Sequence, residues 1–264
     1  MPKVNVNNIE MYYETHGTGF PLIMLMGWTG NIDQWPPELI ESLEKHFQVI
    51  MVDNRGAGRS TSTDEPFTVE MFADDTQAFM NALGIEQAHI LGISLGGMIA
   101  QEMALRYPDK VRGLVLGCTF CGPRRGKFFS PYAIEWVLKF LVTPKMTVNE
   151  TLLYMNFSRD TRDSAVRYSI KAGFKAPITT QNQKKQFMAL IRYNSWERLP
   201  QIKKPTLVMT GTKDAIVSAE NSKILADRIP GATLIRYKKM SHAFYADAPD
   251  KVSHDIIEFL EKQV

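Results

Sequence analysis

The stretch Gly92-Ile93-Ser94-Leu95-Gly96, with Gly97 directly behind it, constrains this chain more than any other. Ahead of it runs Ala88 to Ile93, apolar except for His89, which has the length and composition of a buried strand. Behind it, Met98 to Tyr107 carries apolar residues at helical spacing and stops before Pro108. A serine therefore sits on a strand-to-helix turn with glycines two residues to either side. Such a turn strains the serine backbone and leaves no room for flanking side chains. It also lifts the hydroxyl above the sheet, next to the first N–H groups of the helix.

The rest of the chain alternates in the same way. Val4–Val6 and Ile9–Glu14 read as paired strands joined by Asn7-Asn8, and Pro21–Met26 and Phe47–Val52 as buried strands. Thr68 opens a helix that Gly84 ends, and Val111–Leu116 is a further strand. From Gly122 to Leu199 the pattern is helical, with helices expected over Ala133–Val142, from Thr147 through Phe157, over Thr161–Ala172 and over Thr180–Arg192. Alternation then resumes with a strand at Thr206–Thr210, a helix at Ala219–Arg228, a strand at Thr233–Tyr237 and a closing helix at Pro249–Glu261. The expected class is α/β: a mostly parallel central sheet flanked by helices. Residues 1–121 and 201–264 would form this core, and residues 122–200 an all-helical insertion.

Composition removes several functions. A net charge of +3 is mild, and the basic pairs Arg124-Arg125, Lys184-Lys185, Lys203-Lys204 and Lys238-Lys239 are scattered, so no nucleic-acid partner is expected. No apolar run spans a bilayer, and the first residues lack the apolar core of a signal peptide. A soluble, cytoplasmic protein with no membrane partner is the expectation. Gly56-Ala57-Gly58 lacks the third glycine of a dinucleotide loop. The only cysteines, Cys118 and Cys121, are expected to be structural thiols. Two thiols are too few for a closed zinc site unless distant histidines join them.

A serine on such a turn resembles the nucleophile elbow of the α/β-hydrolase fold, and the resemblance extends from about Ile9 to Leu260. It implies a histidine base and an orienting carboxylate, both just after strands. Of the five histidines, His16 follows the second strand, His46 precedes a strand, His89 lies within one and His254 falls inside the last helix. His242 directly follows the last strand. Asp214 is the one carboxylate in the loop after Thr206–Thr210, so Ser94, Asp214 and His242 stand in the family's order. Some members carry the acid one strand earlier, where this chain has Gly117-Cys118-Thr119-Phe120-Cys121 and no carboxylate. Asp247 and Asp250 are expected to be loop and helix-cap residues.

By the same resemblance, backbone N–H groups of Leu95 and Trp28 would form an oxyanion hole. The family commonly has His-Gly where this chain has Met26-Gly27, and its Asp-x-Arg-Gly-x-Gly-x-Ser stretch matches Asp53–Ser60, expected to brace the oxyanion loop. The implied activity is hydrolysis of a small carboxylic ester or lactone through an acyl-enzyme, without cofactor or metal. Residues 122–200 would be a cap over the serine, with Phe128, Tyr132, Trp136 and Tyr154 as pocket residues. Arg124 and Arg125 are expected to be a solvated pair, with binding of a substrate carboxylate, as in similar enol-lactonases, the other role open to them. The alternatives are a carbon–carbon bond hydrolase or perhydrolase using the same three residues, and a ligand-sensing protein with little turnover.

Overall fold

Asn7 and Asn8 both adopt positive φ, 45° and 63°, the conformation that lets a two-residue turn follow the twist of its strands. The turn folds β1 (Lys3–Val6) onto β2 (Ile9–His16) as an antiparallel hairpin. The computed structural model describes residues 2–127, 176 and 178–263. Six further strands follow: β3 (Phe20–Leu25), β4 (Phe47–Val52), β5 (Ala88–Ile93), β6 (Val111–Gly117), β7 (Thr206–Gly211) and β8 (Thr233–Tyr237). Their order is β1-β2-β4-β3-β5-β6-β7-β8; β2 meets β4 antiparallel, and every pairing from β4 to β8 is parallel.

Central strands of such a sheet are covered on both faces and therefore read as unbroken apolar runs. In β3, Leu22 and Met24 enter one core cluster while Ile23 and Leu25 enter the other. The first face is covered by α1 (Pro37–Leu43) and α7 (Pro249–Glu261). The second is covered by α2 (Val69–Ala82), α3 (Leu95–Arg106) and α5 (Glu220–Arg228). Thr68 caps α2 by accepting the Met71 N–H, and Gly84, at φ 67°, ends it. No helix among the described residues is long and apolar enough to cross a membrane.

Strand boundaries depart from the sequence expectation by at most two residues, and His16 is the last residue of β2 rather than a residue beyond it. Two helices were not expected: α1 and the single turn α6 (Phe244–Asp247). Ala248, not Asp250, is the cap residue of α7, and Asp250 lies in its first turn. Within the expected insertion, α4 (Thr180–Arg192) has the bounds expected for it and is capped by Thr179. Its neck is closed by the Ser195 N–H, which donates to Cys121 O at 2.9 Å. A β-carbon on Gly122 would overlap the Tyr193 carbonyl there. The other three expected helices, with Phe128, Tyr132, Trp136 and Tyr154, lie outside the described residues.

Candidate active site

Ser94 lies between β5 and α3 at φ 54°, ψ −115°, a backbone conformation strained for any residue with a side chain. The crowding expected around it is present. A β-carbon on Gly92 would overlap the Gly96 carbonyl, and one on Gly96 would overlap that of Leu25. Gly97 is closed off by Thr119, whose hydroxyl donates to Ser94 O at 2.7 Å. The Ser94 N–H donates to Gly117 O, so the turn is pinned to β6 as well. Leu95 is the first residue of α3, where an N–H has no carbonyl four residues back within the helix.

The loop after β3 passes directly beside this serine. A β-carbon on Gly27 would lie 3.0 Å from Ser94 Cβ and 3.6 Å from its Oγ. Met26 does not leave this loop loose. Its carbonyl accepts from Asn54 Nδ2 at 3.1 Å, the Ile32 N–H donates to Asp53 Oδ1 at 2.8 Å, and Arg59 pairs with Asp33 at 2.9 Å. The Asp53–Ser60 segment thus braces the loop, and Ser60 Oγ closes the segment on Asp53 O. A second brace comes from α4, which sequence reasoning missed. Gln186 Oε1 accepts the Thr29 N–H, and the Trp28 indole donates to Gln183 O at 2.9 Å while its ring lies against Phe187. These partners are more than 150 residues apart, and no local pattern announces them.

Asp214 and His242 are brought together by the loops after β7 and β8. Backbone bonds lace these loops: the Thr212 N–H donates to Tyr237 O and the Lys213 N–H to Met240 O. Asp214 Oδ1 accepts the N–H groups of Ile216 and Val217, both at 2.9 Å. Its Oδ2 lies 2.7 Å from His242 Nδ1. An ionised carboxylate only accepts, so Nδ1 carries the proton and Nε2 is the basic nitrogen of the ring. Burial is the largest single influence and opposes a charge on His242, but the Asp214 carboxylate and the Cys118 sulfur together overcome it and hold the imidazole well above its ordinary 6.5. Asp247, expected as a loop residue, accepts the Ser241 hydroxyl at 3.0 Å and steadies the residue before His242.

None of the other histidines meets Asp214. His16 lies between Glu14 and Glu44, His46 is 2.7 Å from Glu261, His254 is exposed, and His89 is enclosed in the core. Arg124 and Arg125 are exposed, and Arg125 rests over the Trp196 ring at 5.5 Å, a ring Arg228 also contacts. The neighbour that sequence reasoning did not place is Cys118. Its sulfur, the Asp214 carboxylate and a His242 ring nitrogen lie within 4.8 Å of one another, and the Ser94 N–H also faces the sulfur. Burial, with the Asp214 charge behind it, raises this thiol above its ordinary value against the lowering effect of His242 and the Ser94 N–H, so it stays protonated.

Comparison with known proteins agrees with this architecture. The family described as alpha/beta hydrolase fold matches residues 21–249. A putative carbamate hydrolase RutD from Azorhizobium caulinodans is 30% identical, covering 98% of both chains. The enol-lactonase of Burkholderia xenovorans superposes with a TM-score of 0.85 at 23% identity, covering 98% of this chain and all of that one, a likeness of fold. A thermophilic esterase from Thermogutta terrifontis gives 0.81 at 26% identity, covering 99% of each chain.

Proposed function

The chain belongs to the α/β-hydrolase fold family, and we propose that it is a serine hydrolase cleaving a small carboxylic ester or lactone. The observation that carries this is the strained Ser94 turn together with a buried Asp214–His242 pair that leaves Nε2 basic. In this mechanism Nε2 takes the Ser94 hydroxyl proton as Oγ attacks the carbonyl carbon. The Leu95 and Trp28 N–H groups receive the oxyanion, each donor contributing on the order of 10²–10³ in rate. His242 then passes the proton to the leaving alcohol, and in the second half it deprotonates the water that releases the acid. Asp214 keeps the ring in the productive tautomer and stabilises its cation. Residues 122–200 serve as the cap, and the partner is a small ester or lactone in a cytoplasmic setting.

Hydrolysis of p-nitrophenyl acetate, butyrate and octanoate by the wild type and Ser94→Ala tests this directly. The expected result is turnover fastest with the short chains and a loss of at least about a thousandfold in the variant. Equal background rates for both proteins would overturn it. The relationship to the Azorhizobium protein favours one second substrate class, a carbamate, whose carbonyl the same serine would attack. A carbamate run beside the esters separates the two by kcat/KM.

A further inference from the structure

Two cysteines make a metal site only if distant histidines join them, and one of the two here meets that condition. Cys118 Sγ, Asp214 and His242 offer a thiol, a carboxylate and an imidazole within 4.8 Å of one another, all three buried. The backbone fixes each donor. Cys118 sits at φ 39° with its N–H on Met209 O at 2.8 Å. Asp214 is held through Oδ1, leaving Oδ2 to face the ring. Cys121 takes no part: the charge it meets is Arg228.

We propose that Cys118, Asp214 and His242 bind a borderline-soft divalent cation, Zn²⁺ foremost, and that occupation silences hydrolysis. Zn²⁺ takes thiolate, imidazole and carboxylate at about 2.0–2.3 Å, which sets tetrahedral donors about 3.4–3.6 Å apart. Bringing the three groups to that spacing takes small side-chain rotations, with the His242–Asp214 contact opening from 2.7 Å to admit the ion. Three protein donors leave the fourth position to water. Binding displaces the thiol proton to solvent, driven by the cation's charge, while the imidazole ligates in its neutral form and gives up a further proton only where the ring starts as the imidazolium. Mg²⁺ and Ca²⁺, which prefer oxygen donors, do not compete. Once a ring nitrogen is ligated and the Asp214 charge is cancelled, His242 no longer carries protons for Ser94. Only this silencing rests on the proposed hydrolase function.

The test uses Co²⁺ as a spectroscopic probe and Zn²⁺ by titration calorimetry, with Mg²⁺ as the control, on the full chain. The wild type should bind one Zn²⁺ and show a thiolate-to-cobalt charge-transfer band. Cys118→Ala should lose the band and bind Zn²⁺ more than about tenfold more weakly, since even an outer-shell partner is worth that much. Whatever its basal rate, its ester hydrolysis should no longer fall on addition of Zn²⁺, while Cys121→Ala behaves as the wild type. If Cys118→Ala fails to fold, Cys118→Ser keeps the volume and still removes the band. Absence of the band, or undiminished Zn²⁺ binding without the thiol, overturns the site. A band on a protein with no ester turnover would uphold the metal site and overturn the hydrolase function, and turnover without a band would do the reverse.

Discussion

His242 and His89 are both buried, yet the protein treats them in opposite ways. His242 stands in a loop after β8 with a carboxylate 2.7 Å from Nδ1, and its affinity for a proton is raised. His89 lies inside β5, against the rings of Phe20 and Phe47, and neither ring nitrogen has a hydrogen-bond partner among the described residues. Burial first, and the Arg112 charge second, push its pKa down to about 4. Burial opposes a charged ring in both places, and the difference lies in the neighbours: a carboxylate and a sulfur at His242, a guanidinium and aromatic rings at His89. Where the carboxylate is supplied, the imidazole can cycle its proton; where it is withheld, the ring is held neutral as packing. Acid therefore acts on the two sites differently, stopping the chemistry at one and loosening the core at the other.

The largest break in this contrast comes from removing the carboxylate. Asp214→Asn should lower kcat by about 10⁴, because the amide no longer fixes the tautomer or stabilises the imidazolium. The sign of the pH effect follows from the raised pKa. A general base must be neutral, so wild-type activity rises with pH through a midpoint above 6.5. In the variant the Asp214 charge no longer offsets burial, and the acid limb of the small residual rate should move to lower pH. A pH–rate profile of kcat/KM on both proteins measures this, and an unmoved limb would mean that another group governs it.

The same contrast divides what was legible in the sequence from what was not. Gly92, Ser94 and Gly96 were legible because every constraint on them is local: one turn, one strained residue and no space for a β-carbon. Asp214 and His242 were legible because parallel strands deliver their following loops to one edge. A contact made across the chain leaves no such trace. Gln183 and Gln186 of α4 look like solvent-facing helix residues, yet they anchor Trp28 and Thr29. Cys118 looked like an inert thiol because only the assembled β6, β7 and β8 loops bring Asp214 and His242 to it. Helix α1 is seven residues long, with Pro36 before it and Pro37 as its first residue, too short for a period to stand out.

The next effect lies in stability. The unfolded chain takes up a proton on His89 at its ordinary 6.5, whereas the folded protein holds off until about 4. Between these values the unfolded state binds more protons, so folding stability falls as pH falls through that window. The contribution is fully present above 6.5, and the loss by pH 4 is on the order of 3 kcal/mol. His242 carries the opposite sign, since the folded state takes up its proton first as pH falls, so activity should disappear on acidification before the fold is lost. Urea unfolding at pH 7.5, 6, 5 and 4, read beside activity at each pH, separates the two. Coincident losses would show that inactivation is unfolding.

The smallest and sharpest step is His89→Leu. It replaces a ring whose two nitrogens are unpartnered with an apolar side chain of similar volume but different shape, in a slot set by Phe20, Phe47 and Gly113. Two terms oppose each other at pH 7.5. Removing buried, unpaired polar atoms favours the variant by about 1–3 kcal/mol, and the imperfect fit costs about the same. The net change should stay within about 1.5 kcal/mol of the wild type. Its signature lies in the slope. With no group left to titrate at this position, the His89 share of the stability loss between pH 6.5 and 4 should vanish, and the pH–rate profile set by His242 should not move. A variant that kept the wild-type slope would assign the acid sensitivity to some other buried group and leave His89 as packing alone.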